Sequence, residues 1–292
     1  WNLETGEVHG LEDEPSRISL RLEPYESTCI CIVPEVECSF EHKPHKDEVK
    51  IDVTEEMDVF IEGDNVYRLE AWELSLDGEL YEPVNAKTLI GQLEETELIK
   101  SQNLQFTGEF GTPRNIGIKY PVSVRYRTSF EMEFVPEQVK MLFDCHVVRG
   151  AWKLWINGME YSPKEAEKAM INDNSNRILN ISRAVKKGVN HITIEAEAID
   201  DFSGIRDPLY LLGQFGVVKA EDSMIITRMP DKAEISGNYV KGFPYYSGKF
   251  TFSKTAEWNK EKLSEDIILK LHAREEFHDC VEIIWNGRNL GT

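Results

Sequence analysis

Between Tyr120 and Phe215 apolar and polar side chains trade places at every second residue. Val122, Val124, Tyr126 and Thr128 alternate with Ser123, Arg125 and Arg127. Trp152, Leu154 and Ile156 oppose Lys153, and Asn157-Gly158 then supplies a two-residue hairpin turn. Ile192, Ile194, Ala196 and Ala198 alternate with Thr193, Glu195 and Glu197. A period of two marks a strand with one face in a core and one in water. The series predicts an all-β fold, an antiparallel β-sandwich of the jelly-roll kind, with its core over residues 115–218.

Weaker patterns flank this core. Tyr67 to Leu76 reads as one strand, with Tyr67, Leu69 and Ala71 on one face, closed by the Asp77-Gly78 turn. Residues 86–100 predict a short helix, and Lys164 to Met170 one or two helical turns. Val139 to Val148 is a strand. Leu209 to Val218 is a buried strand in which Gly213 and Gly216 predict a bulge. Residues 34–65 carry Pro34, Pro44 and Gly63 among charges and read as a linker or domain crossing.

Three regions follow. Residues 1–40, with the alternating Ile18 to Leu22 and the apolar run Thr28 to Val33, read as the end of an upstream β-domain whose sheet partners precede it. Residues 41–218 hold the linker and the jelly roll. Residues 219–292 read as an incomplete second copy. Setting Asn286-Gly287 on Asn157-Gly158 places Val281, Ile283 and Trp285 on Trp152, Leu154 and Ile156, and Tyr246 to Phe252 on Val124 to Phe130. The chain opens at Trp1, so it reads as a piece of a longer protein or a trimmed one, and its compartment is not legible.

Charge narrows the partners. Acidic side chains number 52 against 33 basic ones, a formal net charge of −19. Such a chain repels phosphate, which argues against nucleic acid and against an anionic membrane surface. No run of about 18 apolar residues occurs, so no transmembrane helix is expected. The five cysteines (Cys29, Cys31, Cys38, Cys145, Cys280) contain no CxxC pair and read as small buried thiols. His42 and His45 alone are too few for a metal site.

Four motifs then fall into order. Leu22 to Ser27 contains Pro-Tyr-Glu-Ser before an apolar strand, and Tyr245 to Gly248 is Tyr-Tyr-Ser-Gly before another. Trp155 to Gly158 and Ile284 to Gly287 each end in Asn-Gly, and Lys186 to Asn190 is Lys-Lys-Gly-Val-Asn. This order resembles the galactose-binding-like jelly rolls appended to large bacterial glycoside hydrolases. It is most similar to the family 2-type sugar-binding domains and to the alpha-L-rhamnosidase group of family 106. Residues 35–115 stay outside the likeness. Where the family follows its Asn-Gly strand with an aromatic, Pro-rich loop, this chain has Tyr161-Ser-Pro-Lys and a polar run near Asp173.

The resemblance implies a non-catalytic accessory region that supports an upstream catalytic domain of the same chain and contacts carbohydrate weakly. Sugars stack on aromatic faces and bond to planar polar groups. Trp155, Tyr161, Asn176, Arg177, Tyr245 and Tyr246 are the candidate carbohydrate-binding residues, with core packing the alternative for each aromatic. No cofactor is required. A structural Ca²⁺, common in such jelly rolls, would draw on Asp200, Asp201 and Asp207 with loop carbonyls; the alternative is a turn that favours Asp. Glycosidases need two carboxylates about 5–10 Å apart. Adjacent strand carboxylates face opposite ways, so Glu275-Glu276 and Asp200-Asp201 make no natural pair, and no catalytic residue is assigned. A dedicated carbohydrate-binding module and a protein-interaction sandwich are the alternative roles.

Overall fold

The computed structural model describes residues 56–78, 81–95, 118–220, 223–234, 240–255, 257 and 280–291. All of these belong to one compact unit, Asp52–Glu257 with Leu269–Thr292. The expectations for 1–40, for His42 and His45, for Cys29, Cys31 and Cys38 and for Glu275-Glu276 lie outside the described residues.

The early elements are β1 (Met57–Ile61), β2 (Asn65–Leu69), β3 (Ala71–Leu76), β4 (Glu82–Asn85) and the helix α1 (Leu89–Glu95). The alternating centre gives β5 (Val122–Met132), β6 (Val139–Asp144), β7 (Trp152–Ile156), β8 (Met159–Tyr161), β9 (Glu167–Lys168), β10 (Asn176–Asn180) and β11 (Gly188–Ala198). Then come β12 (Leu209–Gly213), β13 (Gly216–Ala220), β14 (Ser223–Thr227), β15 (Lys232–Ala233) and β16 (Phe250–Ser253). The hairpin β17 (Ile283–Trp285) and β18 (Arg288–Gly291) closes the set.

These strands build an all-β sandwich. One sheet runs β2-β12-β6-β10-β9; the other runs β13-β14-β5-β11-β7-β8, with β3 on β5 and β4 on β3. Among the described residues every strand pairing is antiparallel except β14 on β5, where Ile225 and Ile226 lie beside Glu131 and Met132. Inward residues of both sheets form one core. Leu74, Val124, Tyr126, Leu154, Ile156, Ile192 and Ile194 come from one layer, and Val139, Met141, Leu209 and Leu211 from the other, all fully buried. Burying each aliphatic side chain is worth about 1.5–3 kcal/mol.

Four local expectations change. The stretch Tyr67 to Leu76 is two strands in two sheets, divided at Glu70. Crossing between layers shifts the phase, so Ala71 is exposed and Trp72 buried, the reverse of the single-strand reading. Leu209 to Val218 divides in the same way: β12 and β13 belong to opposite sheets, and the glycines mark the crossing instead of a bulge. A Cβ on Gly216 would stand 2.6 Å from the Arg228 carbonyl. Lys164 to Met170 forms only a 3-10 turn, Pro163–Glu165, capped by Ser162, before edge strand β9. Within 34–65, Met57, Val59 and Ile61 alternate as β1, which pairs with β15 and β16 in a separate three-stranded sheet.

The helix expected within 86–100 is α1. Its first amides donate to a loop: Leu89 N–H to the Ser203 carbonyl at 2.6 Å and Ile90 N–H to the Asp201 carbonyl at 3.0 Å. Below it, the buried Tyr126 hydroxyl donates to Gln92 Oε1 at 2.7 Å, and Gln92 Nε2 donates to the Asn85 carbonyl. Gly204, at φ +97°, lets the loop lie on this pair, since a Cβ there would meet the Tyr126 oxygen at 2.8 Å.

Candidate carbohydrate-contact site

The two motifs richest in Asn and Gly meet at one end of the sandwich. Asn157 (φ 50°) and Gly158 (φ 83°) form the turn between β7 and β8, both in the left-handed region that a type I′ turn demands. Asn157 Nδ2 donates to the Ala184 carbonyl and to Asn190 Oδ1, each at 2.8 Å, and its Oδ1 accepts from His191 N–H at 2.9 Å. Asn190 is fully buried. Its Oδ1 also accepts from Lys186 N–H at 2.8 Å, while Nδ2 donates to the Lys186 and Gly188 carbonyls at 2.7 and 2.9 Å. The Lys-x-Gly-x-Asn loop and the Asn-Gly turn are thus one network, in which the polar atoms of both amides are satisfied by protein.

The candidate sugar residues are scattered over both layers. Trp155 sits half-buried on the outer face of the larger sheet, opposite Thr193 on β11 and Glu160 on β8. Tyr161 points the other way: it is buried in the core, and its hydroxyl has no hydrogen-bond partner. Burial pushes that phenol above its ordinary pKa. Asn176 and Arg177 lie on β10 in the opposite sheet. Asn176 Nδ2 donates to the Ile171 carbonyl at 2.6 Å and Arg177 to the Ser175 and Asn176 carbonyls, so both side chains shape their own loop.

Tyr245 and Tyr246 divide between two clusters. Tyr245 packs on the main core, its ring edge-on to Tyr67 at 6.4 Å. Tyr246 joins Phe243 and Phe250 in the smaller cluster with Val59 and Ala233, and its hydroxyl donates to the Glu62 carbonyl at 2.8 Å. Burial raises both phenols. The six candidates therefore form no single site.

Two of the three aspartates proposed for Ca²⁺ are also engaged. Asp200 pairs with Arg149 at 2.8 Å and accepts from Phe202 N–H and the Ser203 hydroxyl. Asp201 accepts from the Tyr120 hydroxyl at 2.7 Å. Burial first, and then this bond, raise the Tyr120 phenol. Asp207 is exposed. Among the described residues no three His, Cys, Asp or Glu side chains are gathered as a metal ion would require. The Asp-rich turn instead closes the loop beside α1.

Around Trp155 the structure adds residues that composition alone did not single out. Across the outer face run Glu73, Arg127, Thr193, Trp155 and Glu160, one from each successive strand. A second row holds Ser75, Arg125, Glu195 and Lys153. Arg127 pairs with Glu73 and lies over the Tyr81 ring, 3.8 Å from its centre. Arg125 pairs with Glu195. The same period-two parity that placed the core on one face contained this signal. The pairing order of the strands, which no local pattern carries, was missing.

No protein-family model matches the chain, and no curated protein matches it. Solved structures do resemble it. The exo-chitosanase CsxA of Amycolatopsis orientalis is 16% identical, with 53% of this chain and 22% of that one covered and a TM-score of 0.36. A beta-glucuronidase from Ruminococcus gnavus is 12% identical over 54% of this chain and 32% of that one, with a TM-score of 0.34. The beta-D-mannosidase of Dictyoglomus thermophilum is 12% identical over 53% and 24%, with a TM-score of 0.36. These neighbours are glycoside hydrolase chains, and the matched region is a third or less of each.

Proposed function

We propose that this chain is a non-catalytic β-sandwich accessory region of a glycoside hydrolase, serving chiefly as structural support. One observation carries the reading. The Asn157-Gly158 and Lys-x-Gly-x-Asn motifs of the sequence resemblance bond to each other within the fold. Tyr161, Asn176, Arg177 and Tyr246 are likewise committed to packing or to local backbone bonds. On the outer face the carboxylates of Glu73 and Glu195 are taken up in ion pairs with Arg127 and Arg125. A rhamnosidase-type parent, with an upstream catalytic domain as the partner, is the narrower form of this reading and rests on the sequence motifs.

A second reading has its own observation. Trp155 is half-exposed beside Thr193 and Glu160, in line with Arg127, so an aromatic face and planar polar groups share one surface. A flat surface of this kind buries little of a sugar, and a Kd near 1 mM, about −4 kcal/mol, is the expected scale. Titrating the chain with oligosaccharides by NMR, beside Trp155→Ala, separates the two. Structural support predicts millimolar or weaker binding. Micromolar binding that disappears in Trp155→Ala at unchanged Tm would make the region a binding module.

A further inference from the structure

The two Asn-Gly turns offer a chemical comparison within one molecule. Asn157-Gly158 and Asn286-Gly287 adopt the same backbone, with φ of 50° and 83° in the first and 48° and 79° in the second. Both join the strands of a hairpin, β7–β8 and β17–β18. Asn-Gly is the dipeptide most open to intramolecular attack on the amide, because glycine puts no side chain in the way of its own nitrogen. What differs is the setting of the two asparagines.

Asn157 is held from three directions by the Ala184 carbonyl, the Asn190 amide and the His191 N–H, and its own N–H donates to the His191 carbonyl at 2.9 Å. Asn286 is exposed, and among the described residues none bonds to its side chain. In either turn the Asn Cγ must swing towards the following glycine nitrogen before reaction. For Asn157 that swing breaks every side-chain bond, whereas for Asn286 it breaks none.

We propose that Asn286 is a deamidation site of the folded protein and that Asn157 is protected by its hydrogen-bond network. The Gly287 backbone nitrogen, losing its proton to solvent base, attacks Asn286 Cγ. A C–N bond forms, and the side-chain nitrogen leaves as ammonia. Water then opens the cyclic imide at either carbonyl, giving aspartate or isoaspartate. The product carries a new negative charge and, as isoaspartate, one extra backbone carbon, which the two-residue turn cannot accommodate in its register.

Breaking the three side-chain bonds of Asn157 predicts a rate about a hundredfold below that of Asn286 in the folded chain. The test incubates the whole chain at mildly alkaline pH and follows both peptides by mass spectrometry, natively and in urea. Conversion at Asn286 with Asn157 intact, and near-equal rates in urea, is the expected result. Equal rates in the folded chain, an inert Asn286, or an Asn157 that stays slow in urea would each overturn the proposal. Asn286→Gln should abolish the modification at that peptide and leave Asn157 unchanged.

Discussion

Replacing Asn190 by Ala tests whether the motif network is what holds the end of the sandwich. The Asn190 side chain makes four hydrogen bonds: two accepted from Lys186 N–H and Asn157 Nδ2, two donated to the Lys186 and Gly188 carbonyls. At about 1 kcal/mol each they sum to roughly 4 kcal/mol. Lys186 is exposed and recovers water, which lowers the expected loss to about 3 kcal/mol. For a unit of this size each kcal/mol moves Tm by roughly 2–4 °C, so a fall of about 6–12 °C is expected. Thermal unfolding followed by tryptophan fluorescence or calorimetry measures it. Asn190→Asp keeps the volume but turns an oxygen towards the Lys186 and Gly188 carbonyls, and should cost at least as much. A drop under about 2 °C in both variants would refute the reasoning, because water would then be replacing the network at no cost.

Other outcomes follow from the same structure. Gly204→Ala places a Cβ 2.8 Å from the Tyr126 oxygen at a backbone φ of +97°, and a loss of about 3 kcal/mol is expected in urea unfolding. The Tyr67 phenol is pushed up to about 12 by burial and then by Tyr245, while an unfolded tyrosine titrates near 10.0. Tyr126 shifts in the same direction by burial. The folded state therefore holds these protons more tightly: their stabilisation is complete below pH 10, and the share of Tyr67 is lost as pH rises through about 12. Spectrophotometric titration of tyrosinate should show these two lagging the exposed phenols, with stability falling across that window.

The alternation was enough to place β5, β7 and β11 and to put Leu154, Ile156, Ile192 and Ile194 in the core, because a period of two reports directly which face meets water. Asn-Gly likewise specified its own turn. Periodicity does not say which sheet a strand joins, so the crossings at Glu70 and at Gln214-Phe215 were invisible, and with them the true orientation of Trp72. Strand β14 lies parallel to β5 through contacts about ninety residues apart, which no local pattern encodes. The candidate site was legible only as residue types. Trp155 was named, and Glu160 faces it across the local Asn-Gly hairpin, but Thr193, Arg127 and Glu73 join its row through strand pairings of this same non-local kind. Asn176 and Arg177 suit a sugar by chemistry, and the structure shows both occupied by the carbonyls of their own loop.

The role of the region is tested most directly by turnover. The purified chain, incubated with a panel of aryl glycosides at neutral and mildly acidic pH, is predicted to release no more aglycone than a heat-denatured sample. Steady turnover that disappears on changing a single carboxylate to its amide would contradict the account and make this sandwich an enzyme in its own right.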